Sequence, residues 1–347
     1  MSQSGWTASP ASGILGLVQS VPKKDIMPAV SLVWTGGAMQ DRIWRPSARR
    51  RLRVDEFPSR ERITSVALEP RVSAVVVVRH MKLAGRAPLE LCLRSVIAEP
   101  MIEDVVIVDH VNAPEISSAL RALQADRRDV KVIAAPPNAS SGAAANLGAQ
   151  HARGRWLLFI DPNVVVQRGA IDRMAAAGDE AQSPCIVGGR LTDLEGRERR
   201  AARVGALNSF SAIAVAMDLP AIVPKRTRNH APSRFSAVSG AFMAIPRRDF
   251  EALNGFDEAF KTDCADLDLC RRATAAGGAV LFHPAAAGVQ FAHIADGGRK
   301  RAQGLARFAA RSARTRPEKL FAAVAEPALA TLLALKRLIA GRPPPPR

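Results

Sequence analysis

The sequence predicts an α/β fold: a doubly wound, mostly parallel (mixed) sheet flanked by helices. Three observations carry this. VSAVVVV at 72–78 is a continuous β-branched run, the pattern of a strand buried on both faces. Strand-like and helix-like stretches then alternate from 72 to 161. Two of the strands end in an acid, Asp109 and Asp161, at the sheet edge where such folds bind ligands.

The elements follow in order. PLELCLRSVIA (88–98) places Leu89, Leu93, Val96 and Ile97 on one helical face, with Pro88 at the start. Strand VVIVD (105–109) comes next, then helix PEISSALRALQA (114–125) and strand VKVIA (130–134). Helix GAAANLGAQHA (142–152) and strand WLLFID (156–161) complete the alternation. Beyond Asp161 the pattern loosens. Residues 190–235, rich in Arg, Pro and Asn, read as a long mobile loop. A helix is expected over 266–276, a short strand over 279–284, and an amphipathic helical tail over roughly 300–341, ending in GRPPPPR. Such a basic helix either lies on anionic lipid or packs on its own domain. Residues 1–70, with a basic cluster at 45–53, read as a partly ordered extension.

A chain of 347 residues holds one large domain, or a catalytic domain with extensions. Lys and Arg number 49 against 32 Asp and Glu, a formal charge of +17. That balance suits an anionic partner, and a bias of composition toward Arg and Ala accounts for it equally well. With aromatics at 5% and no Tyr, stacking platforms are poorly supplied, and nucleic acid is not the expected partner. Cys92, Cys185, Cys264 and Cys270 form no CxxC pair, so free buried thiols in a reducing cytoplasm are expected. The N-terminus lacks the pattern of a signal peptide, and no apolar run is long enough to span a bilayer.

The densest chemistry lies at 239–272, SGAFMAIPRRDFEALNGFDEAFKTDCADLDLCRR. If a helix begins at Thr262 or Asp263, then Asp263 and Asp266 share a face, and Asp268 pairs at the surface with Arg271 or Arg272. Capping and ion pairs account for Asp263 and Asp268. They leave Gly240, Gly255, Phe256 and Asp257 unexplained, and these imply a constrained loop that delivers the helix start to a site. The small-residue segment 138–148 opens a helix whose N-terminal N–H groups suit an anion. Asp161-Pro162-Asn163 offers one carboxylate and one neutral carbonyl to a hard cation bridging phosphates. His293, near Gly297 and Gly298, is not distinguished by spacing alone.

Over about residues 72–295 these blocks together resemble family 2 glycosyltransferases with the GT-A fold, especially rhamnosyltransferase-like and polysaccharide-forming bacterial members. Asp109 stands at the family's strand-end Asp. Asn138, Ala144, Asn146 and Gly148 fit its N-x-G-x-x-x-A-x-N-x-G segment, with Ser140 at the first Gly. Asp161-Pro162-Asn163 stands at its D-x-D, Ser239–Met243 at its S-G-A-x-M, Gly255–Glu258 at its G-F-D-E, and Ala265–Arg271 at its E-D-x-D-L-x-x-R. His293 stands at its late metal-binding His.

The resemblance implies an inverting transfer from a nucleotide-diphosphate sugar to a hydroxyl of a glycan or lipid-linked acceptor, in surface polysaccharide synthesis at the cytoplasmic face of the membrane. It implies Asp266 as catalytic base. Asp109, Asn138, Asn146 and Asp161 would bind the donor. Gly240 and Asp257 would frame the acceptor, and Asp161, Asn163 and His293 would hold Mn2+ or Mg2+. It implies a glycosyltransferase domain over 71–295, with a nucleotide-sugar half at 71–165 and an acceptor half at 166–295, followed by a helical tail at 296–347. Departures from the family pattern are Arg79-His80-Met81-Lys82 for P-T-Y-N, His110-Val111-Asn112 after Asp109, Asn163 for the second Asp, and Ala265 for the Glu before the base. A catalytically weakened member that binds a nucleotide sugar or a partner enzyme is the alternative.

Overall fold

The computed structural model describes residues 71–199, 202–217, 230–261, 264–291 and 299–340. The extension expected over 1–70, together with Thr262, Asp263, His293 and the terminal GRPPPPR, lies outside them.

In chain order the elements begin β1 (Val72–Arg79), α1 (Arg86–Ile97), β2 (Ile102–His110), α2 (Pro114–Asp126), β3 (Val130–Ala134), α3 (Ser141–His151) and β4 (Trp156–Ile160). Helix α1 starts two residues before Pro88, which its first turn accepts because the N–H there has no intrahelical partner. Next come β5 (Val164–Val166), α4 (Ala170–Asp179), β6 (Cys185–Thr192), β7 (Arg203–Val204) and α5 (Ser211–Met217). Then follow β8 (Ser233–Arg234), β9 (Ala237–Val238), β10 (Phe242–Pro246), α6 (Arg247–Ala252), α7 (Ala265–Ala275), β11 (Ala279–Gln290), α8 (Arg299–Ser312) and α9 (Arg316–Ala340).

The main sheet runs β3-β2-β1-β4-β10-β6-β11-β5, with β8 on β11. Strands β1 to β4 are mutually parallel, and β6 parallels β11. Strand β10 runs antiparallel between β4 and β6, and β5 antiparallel to β11, so the sheet is mixed. Its two faces bury separate layers. On one, Val75, Val106, Phe159 and Ile245 meet Phe250, Phe256 and Phe260; Leu305 and Phe308 of α8 and Leu329 of α9 join the same layer. On the other, Val76, Ile107 and Leu158 meet Leu89 and Val96 of α1, Ile116 of α2 and Met174 of α4. Burial on both faces is what the unbroken apolar run of β1 requires. The four cysteines are free and buried, two in each layer. Burial raises the thiols of Cys185 and Cys270 to about 12 and lifts that of Cys92 further still.

Several expectations are corrected. The stretch 190–235 is not a single loop: its described part holds the end of β6, then β7, α5 and β8, with Ala212, Ala214 and Ala216 buried. The strand expected over 279–284 runs twelve residues, because a register shift between His283 and Ala287 lets it continue along β6. The helical tail is two helices, broken at 313–315. There the Glu318 carboxylate accepts the N–H groups of Arg314 and Thr315 at 2.9 and 2.8 Å and caps α9.

Helix α7 begins at Ala265, not at 262 or 263. Cys264 holds a left-handed backbone (φ 73°), which no right-handed turn can include. Asp263, expected to share a face with Asp266, lies outside the described residues. Asp268 does pair with Arg271 (2.8 Å) and Arg272 (2.7 Å), but it is wholly buried rather than at the surface. Burial acts to raise its carboxyl, and the two guanidiniums outweigh burial and hold it below the ordinary carboxylate value. A lowered folded value adds stability above the unfolded value and loses it as pH falls through the folded one. Asp268→Asn is expected to cost roughly 3 kcal/mol at neutral pH. Its melting temperature should begin to converge on that of the parent as pH falls below about 4, the unfolded carboxyl range, and meet it only below the lowered folded value, as thermal melts across pH would record.

Candidate active site

The carboxyl ends of β1, β2 and β4 lie on one sheet edge, and the topology brings later segments to it. Asn112 ties the first two together: its side-chain amide donates to Val78 O (2.8 Å) and to Asp109 Oδ1 (2.6 Å), while its oxygen accepts from Met81 N–H (2.7 Å). Asp109 is thus held half-buried at the edge. Beside it the rings of His80 and His110 lie 5.6 Å apart. His110 is fully buried, with Nε2 3.2 Å from Pro137 O. Burial pushes its imidazole below the usual value against the Pro137 contact, and Arg79 and His80 push the same way. The guanidinium of Arg79 donates to Ser141 Oγ (3.0 Å), which places a cation at the N-terminus of α3. Ser140 caps that helix by accepting from Ala143 N–H (3.0 Å), and Asn138 is exposed in the turn before it. The anion position expected at 138–148 thereby gains a guanidinium.

Asn146 is spent within the protein. Its oxygen accepts from Phe256 N–H (2.9 Å), and its amide donates to Phe256 O (2.9 Å) and Glu258 Oε1 (3.0 Å). Helix α3 thus clamps the NGFDE turn. Gly255 (φ 63°) is required there, since a Cβ would lie 2.7 Å from Asn146 Oδ1 in a backbone conformation few side chains adopt. Arg272 completes the clamp by donating to Gly255 O (2.7 Å) and Leu253 O. Asp257 accepts from Ala259 N–H (3.0 Å) and forms an ion pair with Arg311 of α8 (2.7 Å). The candidate acceptor residue is therefore bound to the tail.

Asp161 follows β4. Its N–H donates to Ala241 O (2.9 Å), and its Oδ1 accepts from Asn163 N–H (2.8 Å). One residue before Ala241, Gly240 N–H donates to Asp266 Oδ2 (2.8 Å), and Leu267 N–H donates to Asp266 Oδ1 (2.9 Å). The carboxylate of Asp266 is held by two N–H groups, and a Cβ on Gly240 would come within 3.2 Å of its Cβ. So Asp161 and Asp266, 105 positions apart in sequence, flank the same short segment at the start of β10. Phe291 N–H donates to Asn163 O (2.9 Å), so β11 leaves the sheet beside Asn163, two residues before His293.

A divalent cation fits this edge sparingly. Asp161 supplies a carboxylate and Asn163 a neutral oxygen, and among the described residues no three His, Cys, Asp or Glu gather. Most of the oxygens around such a cation have to come from the phosphates and water it binds, which suits Mg2+ or Mn2+. Sequence reasoning missed Asn112, Arg272 and Arg311 as anchors. Only Arg272 carried a signal, its spacing of four from Asp268.

Residues 70–327 match the family described as Glycosyltransferase like family 2. The chain is 30% identical over 205 residues to the succinoglycan biosynthesis protein ExoO of Rhizobium meliloti (strain 1021), covering 57% of this chain and 54% of that one. It is 38% identical over 55 residues to the rhamnosyltransferase WbbL of Escherichia coli (strain K12), covering 16% and 21%. The chain thus spans about half the length of the first relative and less of the second. The crystal structure of GalNAc-T7 with UDP, GalNAc and Mn2+ superposes with a TM-score of 0.55 at 16% identity, over 80% of this chain and 59% of that one, and shares its fold.

Removing the clamp should loosen the site's framework. Asn146→Ala leaves the N–H and carbonyl of the buried Phe256 unsatisfied. It is expected to cost about 2 kcal/mol in urea denaturation.

Proposed function

The chain belongs to Glycosyltransferase like family 2, and from that membership we propose that it is an inverting glycosyltransferase. It moves a sugar from a nucleotide-diphosphate sugar to a hydroxyl of a glycan or lipid-linked acceptor in surface or extracellular polysaccharide synthesis. The names of its relatives, a succinoglycan biosynthesis protein and a rhamnosyltransferase, support the polysaccharide setting. The observation that carries the reading is the hydrogen bond from Gly240 N–H to Asp266 beside the segment that also receives Asp161.

The chemistry follows from that juxtaposition. A carboxylate fixed by two N–H groups loses little entropy on meeting an acceptor hydroxyl. Asp266 takes the hydroxyl proton as that oxygen attacks the anomeric carbon from the face opposite the leaving group, and the bond to the nucleoside diphosphate breaks. Asp109 and the strand-end residues around it hold the nucleoside, while the α3 N-terminus with Arg79 favours the diphosphate. Asp161, with Asn163 and His293, would hold the divalent cation, which when bound neutralises charge gathering on the departing diphosphate. Gly240 shapes the acceptor side, where a Cβ would crowd Asp266 at 3.2 Å. Asp257 borders the same pocket through the loop that Asn146 and Arg272 hold. Donor binding suits the cytoplasmic side of the membrane. Among the described residues no helix is long and apolar enough to cross a bilayer.

Asp266→Asn keeps the side chain's shape and removes the base. Sugar transfer is expected to fall at least about 100-fold with donor affinity unchanged, and undiminished transfer would sink the assignment. The second reading, binding without turnover, rests on Ala265 and Asn163, where the family pattern has acids. Titration calorimetry with UDP-, GDP- and dTDP-sugars in the presence of Mn2+ separates the two. Heat of binding with no product across acceptors favours the second.

A further inference from the structure

Helix α9 has two apolar faces. The inner one buries Ala325, Leu329 and Leu333 against the layer that holds Leu305 and Phe308 of α8 and Ala212 and Ala216 of α5. This settles one of the two roles open for the tail, since it packs on its own domain. The outer face is exposed. Leu320 is 73% exposed, Val324 55%, Leu335 54% and Leu338 70%. At 3.6 residues per turn these four fall with Pro327 and Thr331 within a band about 80° wide and about 27 Å long. The band contains no charged residue. Phe210, itself exposed, extends it at one end through ring contact with Phe321 at 5.2 Å. Nine large apolar side chains are exposed among the described residues, and five of them lie here, which makes this a patch rather than scatter.

Charge indicates what covers it. Residues 299–340 carry ten Lys and Arg and two Glu. Glu318 is buried and committed to capping α9, which leaves Glu326 as the exposed acid. Arg314, Arg316 and Lys319 are exposed at the start of the band. A second copy would set like charge against like with almost no acid to match it. An anionic bilayer satisfies both features, taking the apolar band at its acyl boundary and the cations at its phosphates.

We propose that the outer face of α9 docks on an anionic lipid surface, lying in the interface rather than crossing it. This goes beyond the transfer reading and does not rest on it.

The test uses the full chain with vesicles of equal parts phosphatidylglycerol and phosphatidylcholine, and with phosphatidylcholine alone, in about 0.15 M salt to screen diffuse attraction. The protein should float with the mixed vesicles and remain behind with the neutral ones. Replacing all four side chains (Leu320→Ser, Val324→Ser, Leu335→Ser, Leu338→Ser) should weaken partition about tenfold or more. Arg316→Glu with Lys319→Glu should do likewise. These positions are exposed, so an unchanged thermal melt certifies each fold. The proposal is overturned by three results: the fourfold variant floating as the parent does, which assigns binding to charge elsewhere; a parent that binds neither vesicle; or substitutions that dissociate a dimer in sedimentation while leaving vesicle binding intact.

Discussion

The placement of Asp266 depends on a carboxylate two positions further along its helix. Asp268 is fully buried, and it is tolerable there because Arg271 and Arg272 reach it. Arg272 is at the same time hydrogen-bonded to the carbonyls of Leu253 and Gly255. One guanidinium therefore fastens α7 to the turn before it, and Asn146 fastens that turn to α3. With both fixed, the first turn of α7 has one position relative to the sheet, and Gly240 N–H meets Asp266 at 2.8 Å. The site's precision comes from residues that need not touch a substrate.

The second constraint is topological. An antiparallel β10 inserted beside β4 returns the chain to the edge where β4 ends, so the turn at 239–241 sits against Asp161. A wholly parallel sheet would bring the following residues to that edge only through another crossover. The length of β11 does the same for Asn163, carrying Phe291 to its carbonyl. The NGFDE turn is also tied to the tail, because Arg311 of α8 meets Asp257 at 2.7 Å.

How much of this was legible in the sequence varies with range. Strands β1, β2 and β4 were readable because a strand buried on both faces has a composition of its own, and the edge strand β3, mostly half-buried or exposed, still fell on the expected residues, Val130 to Ala134. The start of α7 was not, since a left-handed Cys264 leaves no mark in composition. Helix α5 hid in a stretch whose Arg, Pro and Asn read as loop, because its buried residues are three alanines and a serine, with little apolar signal. Several blocks in the expected order pointed to the fold. The clamp by Asn146 was out of reach, since its partner lies 110 residues away and the pairing follows from packing rather than from any local pattern.

The four thiols add a last consequence. With Cys185 and Cys270 raised to about 12, these two carry almost no thiolate in the folded chain at neutral pH, and all four thiols are buried. They react only when the packing around them opens. Because Cys92 and Cys185 belong to one layer and Cys264 and Cys270 to the other, alkylation followed by mass spectrometry reads each layer's opening free energy separately. The protein thus carries its own paired probes of whether its two faces unfold together.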